Sequence, residues 1–339
     1  MGIGALPGAE GVPSIMITEG LNPKDVARFS AVLDREEFHA QLDRMFPGPR
    51  GHSREFRLDV LKGHRDRCTF DSAVETEKGW RSVIAKVYAA DRSDVFRMMS
   101  AVVDAGFGPQ DEFAIPRPLA YLTSLNVLME EKVEGTQAME IFQTGDHDEQ
   151  VETARRCGTW LARFHARAPG QGRTTGPEDM LAKCRLWATP IREFGGPLAQ
   201  KADTLLRKVE SCVPPMDTVE ACAGHGSYMP EHVILSGRRT VTIDLDEYDI
   251  ADPARDVAWF IISLGRLGLK HRASLRAHDP AIEAFLDAYA QGARENALAH
   301  LPFHMGAECL HRAHRDLHKR IPPLPEWTEI MLDEGLRSS

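Results

Sequence analysis

No Cys-x-x-Cys pair occurs among the six cysteines of this 339-residue chain (Cys68, Cys157, Cys184, Cys212, Cys222, Cys309). That leaves no zinc-ribbon spacing, no dithiol redox motif and no disulfide framework. The opening residues MGIGALPGAEGVPSIM hold neither a basic stretch nor an apolar run of signal-peptide length, so a reducing cytoplasm is the expected compartment. The longest apolar run, VAWFIISLG, has about half of the ~20 residues that a membrane span needs, and no membrane partner is expected. Like charges form no block, and 41 basic against 50 acidic residues give a net charge of −9. A nucleic acid would need a local basic patch, and none is expected as partner. Internal repeats and low-complexity segments are missing too. What is present suffices for a full core: 42% of the residues are hydrophobic and 27% charged, over a length that suits two lobes.

The periodicity divides the chain. Residues 1–50 are expected to be an N-terminal extension, rich in Gly and Pro up to residue 20. NPKDVARFSAVLDREEFHAQLDRMF then has helical spacing, with Asn22 as N-cap. Residues 51–135 read as a β-rich lobe, with strands at EFRLDVLK, RCTFDSAVET and WRSVIAKVYAA and a turn at Glu77–Gly79. A helix over DRSDVFRMMSAVVDAGFG follows, closed by Gly106 or Gly108, and then two more strands. Residues 136–339 read as mostly helical, interrupted by the strand signals HVILSG and RRTVTIDLD. The expected class is α+β, a small antiparallel β lobe followed by a larger, mainly helical lobe.

Several residues point to phosphoryl transfer, which needs a lysine on the phosphates, acidic ligands for Mg²⁺ and a group that orients the acceptor hydroxyl. Lys86 stands mid-strand in SVIAKVY, where an apolar setting demands a partner. LKGHRDRCTF puts Lys62, Arg65 and Arg67 at a hairpin turn with Gly63, suited either to closing over polyphosphate or to being a solvated basic turn. Asp244 follows an apolar strand, and Asp246 shares its face if the strand continues. Two carboxylates there suit a hard cation, or else a polar turn. His311, His314 and His318 share a helical face, more in keeping with a solvated or substrate-facing helix than with a metal site.

Taken in order, Lys86, the connector VLMEEKVEG, His225-Gly226, IDLD and ADPARDVAWF resemble the aminoglycoside phosphotransferase and choline kinase family over roughly residues 55–320. The resemblance implies a two-lobed fold similar to that of protein kinases, with ATP and Mg²⁺ as cofactors and a small-molecule alcohol as acceptor. It implies that Lys86 holds the α/β-phosphates and that Glu130, Glu131 and Val133 of the connector offer backbone groups to adenine. Asp244 would bind Mg²⁺, and Asp256 would brace the catalytic loop.

The chain departs from the family at two positions. The family loop reads His-Gly-Asp with a later Asn; here His225-Gly226 leads into Ser227, and His232 stands at the Asn position. Serine is no general base unaided. An imidazole at position 232 is a poorer ligand for Mg²⁺ than for transition metals. Glu231 is the neighbouring carboxylate that could orient the hydroxyl instead. The helix after the Lys86 strand has no glutamate, so Asp91 or Asp94 is expected to pair with the lysine. Two other His-Arg-Asp triplets, at 64–66 and 314–316, lack the strand and metal-binding Asp that the motif requires. Two functions stay open: a small-molecule kinase working with Ser227, or an impaired pseudokinase that binds nucleotide or metabolite as a regulator or scaffold. The N-terminal helices are a candidate lid or homodimer contact.

Overall fold

A computed structural model of the chain describes residues 23–47 and 55–339; the expected N-cap Asn22 lies outside them. In chain order the elements are α1 (Pro23–Leu33), α2 (Glu36–Met45), β1 (Phe56–Gly63), β2 (Arg67–Thr76), β3 (Gly79–Tyr88), α3 (Ser93–Val102), β4 (Phe113–Ala114), β5 (Pro118–Leu122), β6 (Val127–Glu131), β7 (Thr136–Gln137), α4 (Ala138–Thr144), α5 (His147–Arg167), α6 (Pro177–Phe194) and α7 (Gly196–Ser211). They continue with β8 (Cys222–Gly224), β9 (Val233–Ser236), β10 (Arg239–Thr242), β11 (Asp249–Ala251), α8 (Ala254–Arg272), α9 (Asp279–Gly292), α10 (Leu301–His318) and α11 (Pro325–Ser338). Two compact units result: Met1–Ser100 with Pro116–Val133, and Ala101–Ile115 with Glu134–Ser339. A β-rich unit and a helical one make the α+β class.

The first unit is an antiparallel sheet in the order β1-β2-β3-β6-β5. Alternation in the sequence sets its faces. Cys68, Phe70 and Val74 of β2 and Val83, Ala85 and Val87 of β3 point into the core, while Thr69, Asp71, Ile84 and Lys86 take the other face. Phe29, Leu33, Phe38 and Leu42 of α1 and α2 join the core on the inward face, as expected of helices whose apolar positions fall on one stripe. The β2–β3 turn needs a left-handed residue and has one in Gly79, at φ 91°. The Thr76 hydroxyl donates to the Gly79 carbonyl across that turn at 2.6 Å.

In the second unit α6, α7, α10 and α11 share a core around Ile191, Leu205, Phe303, Leu310 and Leu332. A second core is aromatic. Trp160 stacks on Phe164 and Tyr228, with centroids 4.7 and 5.5 Å away, and Phe260 stacks on Phe285 at 4.1 Å. The Trp160 indole N–H is satisfied by the Ala114 carbonyl at 3.0 Å, as buried indoles require. Helix α5 starts with a capping box: Asp146 and Glu149 bond each other's backbone N–H at 2.9 Å. Two small sheets, β4-β10-β9-β7 and β11-β8, punctuate the helices. No described helix is long and apolar enough to cross a membrane.

Candidate active site

In the first unit the register decides which charges meet. Lys62 pairs with Thr69, Thr69 with Lys86 and Lys86 with Leu128, so Lys62, Thr69 and Lys86 form one row on the face opposite the one that packs on α1 and α2. Glu130 lies two residues from Leu128, on the same face and diagonal to Lys86. Its Oε1 is 3.4 Å from Lys86 Nζ, with both side chains almost fully buried. This corrects the expectation for Asp91 and Asp94. Asp91 instead bonds the Ser93 backbone and hydroxyl at 3.0 Å, and Asp94 pairs with Arg92 at 3.2 Å on the surface. A strand partner wins because diagonal cross-strand neighbours lie within reach of long side chains, whereas Asp91 and Asp94 are occupied in starting α3.

The other residues expected to hold nucleotide have these places. Arg65 sits exposed in the β1–β2 turn, which closes through His64 N–H to the Arg67 carbonyl at 2.7 Å. Arg67 opens β2 opposite Tyr88. The Glu131 N–H is already donated to the Arg117 carbonyl at 2.9 Å, so it is not open to a base, and Val133 lies past the end of β6.

In the second unit the loop 225–232 links β8 to β9. Asp256, in the first turn of α8 and 1% exposed, accepts the His225 N–H at 2.6 Å and the Gly226 N–H at 3.0 Å. His165 Nε2 lies 3.3 Å from the same carboxylate, and His165 Nδ1 is 2.9 Å from the Tyr289 hydroxyl. Burial alone would raise the Asp256 pKa, but the His165 hydrogen bond and the Arg255 charge hold it well below the usual carboxylate range. Arg255 is itself gripped by Asp249 through two bonds of 2.7 and 2.6 Å, and Asp249 also accepts from Thr175 at 2.6 Å. His165, Arg255, Asp249 and Thr175 escaped the sequence reading, although Arg255 stands within the quoted ADPARD.

Gly226 has φ 84°, and a Cβ there would come within 2.2 Å of the Glu247 carbonyl; only glycine fits. Ser227 is 8% exposed. Its carbonyl is 3.0 Å from His232 Nδ1, and its N–H lies 3.4 Å from His225 Nδ1. The other His225 nitrogen, Nε2, is 3.0 Å from the Ile243 carbonyl, which ties the loop to the chain just before Asp244. Tyr228 is buried, its hydroxyl donating to the Cys157 carbonyl at 2.9 Å. Glu231, with its side chain 45% exposed, is 4.0 Å from His232 Nε2.

Asp244 adopts a left-handed backbone, φ 64° and ψ 56°, a conformation that aspartate tolerates better than most residues. Its Oδ2 lies 3.5 Å from His232 Nε2. The structure thus joins the two residues that the resemblance places at metal-binding positions. Asp246 is a correction: strand β10 ends at Thr242, and Asp246 sits in a buried helical turn over Leu245–Glu247, so it does not share a strand face with Asp244. No group of three or more His, Cys, Asp or Glu suited to a metal occurs among the described residues.

The α10 histidines at 311, 314 and 318 lie against other side chains of the protein. His311 packs between Trp187 and Trp259 and pairs with Glu308 at 3.1 Å, while His314 stacks on His318. Asp316, of the second His-Arg-Asp triplet, is forked onto Arg266 at 2.7 and 2.8 Å.

A comparison with curated proteins finds no match. Among solved structures, the fold is similar to that of a choline/ethanolamine kinase family protein from Mesorhizobium loti, with a TM-score of 0.57 at 12% identity over 92% of this chain and 93% of that one. It is similar to macrolide 2'-phosphotransferase MphH from Brachybacterium faecium, with a TM-score of 0.51 at 16% identity over 92% and 98%. It is also similar to a glucosamine kinase solved with glucosamine, ADP and inorganic phosphate, with a TM-score of 0.58 at 16% identity over 83% and 81%. These likenesses establish a protein-kinase-like fold. Residues 72–302 match the model of the APH phosphotransferase enzyme family, and with more than half of its length inside that match the chain belongs to this family.

Proposed function

We propose that the chain transfers a phosphoryl group from ATP to a hydroxyl of a small molecule, with Mg²⁺ as accompanying cation and Ser227 in place of a loop carboxylate. The Lys86–Glu130 pair carries the proposal. Burying a lysine and a glutamate 3.4 Å apart in a sheet is a weak source of stability, since desolvation offsets most of the attraction. It suits a lysine held in place for phosphate oxygens, with Lys62 in the same row. Asp244 is the residue to hold Mg²⁺, which asks for one or two carboxylates and takes its remaining ligands from phosphate and water. His232, 3.5 Å from Asp244, is a donor that Mn²⁺ or Zn²⁺ would accept more readily. Mg²⁺, when bound, supplies charge neutralisation on the phosphate oxygens.

The chain's own groups then do the following. Lys86 neutralises phosphate charge. Asp256 fixes the loop through two backbone N–H groups, so that Ser227 is held by the main chain and not by its own side chain. The Ser227 hydroxyl orients the acceptor hydroxyl by hydrogen bonding, and proton acceptance falls to Glu231 or water. Phosphoryl transfer through a loose transition state asks little of a base, and general-base help is worth about 10²–10⁴-fold. The His232–Asp244 contact favours a second reading, a nucleotide-binding regulator in which the imidazole occupies the metal-binding carboxylate.

Thermal shift with ATP and MgCl₂, followed by ADP release over a panel of amino-alcohols, sugars and aminoglycosides, separates the two. A kinase shows turnover that falls at least 100-fold in Lys86→Ala and in Asp244→Ala and rises tenfold or more in Ser227→Asp. An ATP-induced shift with turnover no higher than that of Lys86→Ala, and no gain in Ser227→Asp, establishes the regulator instead.

A further inference from the structure

A solvent-open pocket of about 180 Å³ lies within the second unit. One wall is Met229, Pro230 and Glu231 of the catalytic loop, two residues beyond Ser227. The facing walls come from α8, α10 and α11 and the segment after α10, and they carry Arg266, Lys270, Arg312 and Arg320. Glu231 is the single carboxylate on the lining.

Two of the cations are built in. Arg266 is forked onto buried Asp316 and stands 5.1 Å from the Trp327 ring centroid. Arg312 Nε bonds buried Glu308, and its NH2 group donates to the Ser263 hydroxyl at 3.1 Å. A guanidinium fixed on one edge by a carboxylate keeps its other N–H donors in a set direction. The other two are surplus. Lys270 makes no ion pair among the described residues, and Arg320 reaches only Asp316, at 3.4 Å, whose oxygens Arg266 already holds. Positive charge crowds the rear of the wall as well: burial and the Arg312 charge both lower the pKa of neighbouring Arg315.

We infer that the acceptor is an anion: a hydroxyl compound whose carboxylate or phosphate group is held by Lys270 and Arg320, with its body against Trp327. This rests on the phosphotransferase reading for the word acceptor, and on the cavity alone for the charge. With Arg266 and Arg312 neutralised by Asp316 and Glu308, Lys270 and Arg320 still outweigh the one lining carboxylate, Glu231, which disfavours amines and quaternary ammonium compounds, since a like-charge match is a filter in recognition. Charge-assisted bonds from a guanidinium and an ammonium suit carboxylate and phosphate alike.

Titration calorimetry without nucleotide, in low-chloride buffer, tests the charge. The probes are glycerate, glycerol 3-phosphate, glycerol, choline and glucosamine, against the wild-type chain and the surface variant Lys270→Glu/Arg320→Glu, with circular dichroism as a folding control. The expected result is that glycerate or glycerol 3-phosphate binds at least tenfold more tightly than choline and glucosamine, and that the variant loses at least tenfold in anion affinity. Which of the two anions binds better tells carboxylate from phosphate. Preference for choline or glucosamine, anion affinity unchanged in the variant, or no anion binding at millimolar concentration each overturns the inference. ATP stabilisation of the wild-type chain, measured in parallel, tests the phosphotransferase reading separately: its absence beside variant-sensitive anion binding removes the word acceptor and keeps the anion site.

Discussion

Asp256 shows how one buried carboxylate can set the shape of a loop. Its carboxylate receives two backbone N–H groups of the loop 225–232 and faces His165, with both side chains buried. Asp256→Ala strands those donors and should cost about 3–5 kcal/mol, read as a lower denaturant midpoint; Asp256→Asn, which keeps one acceptor oxygen, should cost less. The depressed pKa also fixes a sign. A carboxylate held below its unfolded value of about 3.9 stabilises the fold at every pH above that value, and loses this contribution as pH falls below about 4 through the folded pKa. Asp256→Asn should therefore flatten the acid limb of stability below pH 4. At this scale the sequence was informative where chemistry is local: Lys86 in its strand and Asp256 after its Ala-Asp-Pro start were both visible. Glu130 was not, because its meeting with Lys86 depends on the register of β3 against β6, which a string of letters does not contain. Asp246 was misplaced because nothing in TIDLDEYD marks the end of β10 at Thr242 and the left-handed turn at Asp244.

At the scale of elements, α5 and α9 meet at a glycine. A Cβ on Gly158 would fall 2.3 Å from the Phe285 carbonyl and 3.1 Å from the Tyr289 N–H. In an isolated helix Gly→Ala gains about 1 kcal/mol. Here the clash wins, and Gly158→Ala should destabilise by about 1–3 kcal/mol, visible as a lower Tm. The start of α9 adds a pH response. His278 directly precedes the helix, bonds Gln150 at 3.1 Å, and has its pKa pushed down to about 4 by burial and by the charges of Arg272 and His271. A proton there would be desolvated and set against the positive end of the helix dipole. The unfolded chain therefore binds this proton more readily between pH 6.5 and 4, and stability falls as pH falls across that window. His314, also held at about 4, chiefly by burial, acts with the same sign. His278→Gln should reduce the slope of unfolding free energy against pH between 4 and 6.5. Elements were the most legible part of the sequence, since alternation marked β2 and β3 and helical spacing marked α5. The pairing of helices stayed hidden, because Gly158 looks dispensable until Phe285 is placed beside it.

At the scale of the molecule, each unit contains a hydrophobic cluster of its own. Damage to one should then stay in it. Phe38, fully buried and edge-on to Phe56 at 6.1 Å, anchors α2 in the first core. Phe38→Ala should cost about 3–5 kcal/mol, and hydrogen exchange should speed up in β1–β3, β5 and β6 while the amides of α5 to α11 keep wild-type protection. Uniform acceleration over both units would show a single cooperative block. The sequence order suggested a β-rich half and a helical half, but not that the chain leaves the first unit at Ser100 and returns at Pro116. That excursion constrains protein engineering. A fragment ending at residue 100 would lack β5 and β6, and with β6 the counter-ion of its own lysine, so any chimera that borrows the first unit must be spliced after Val133 and must carry the 101–115 detour with it.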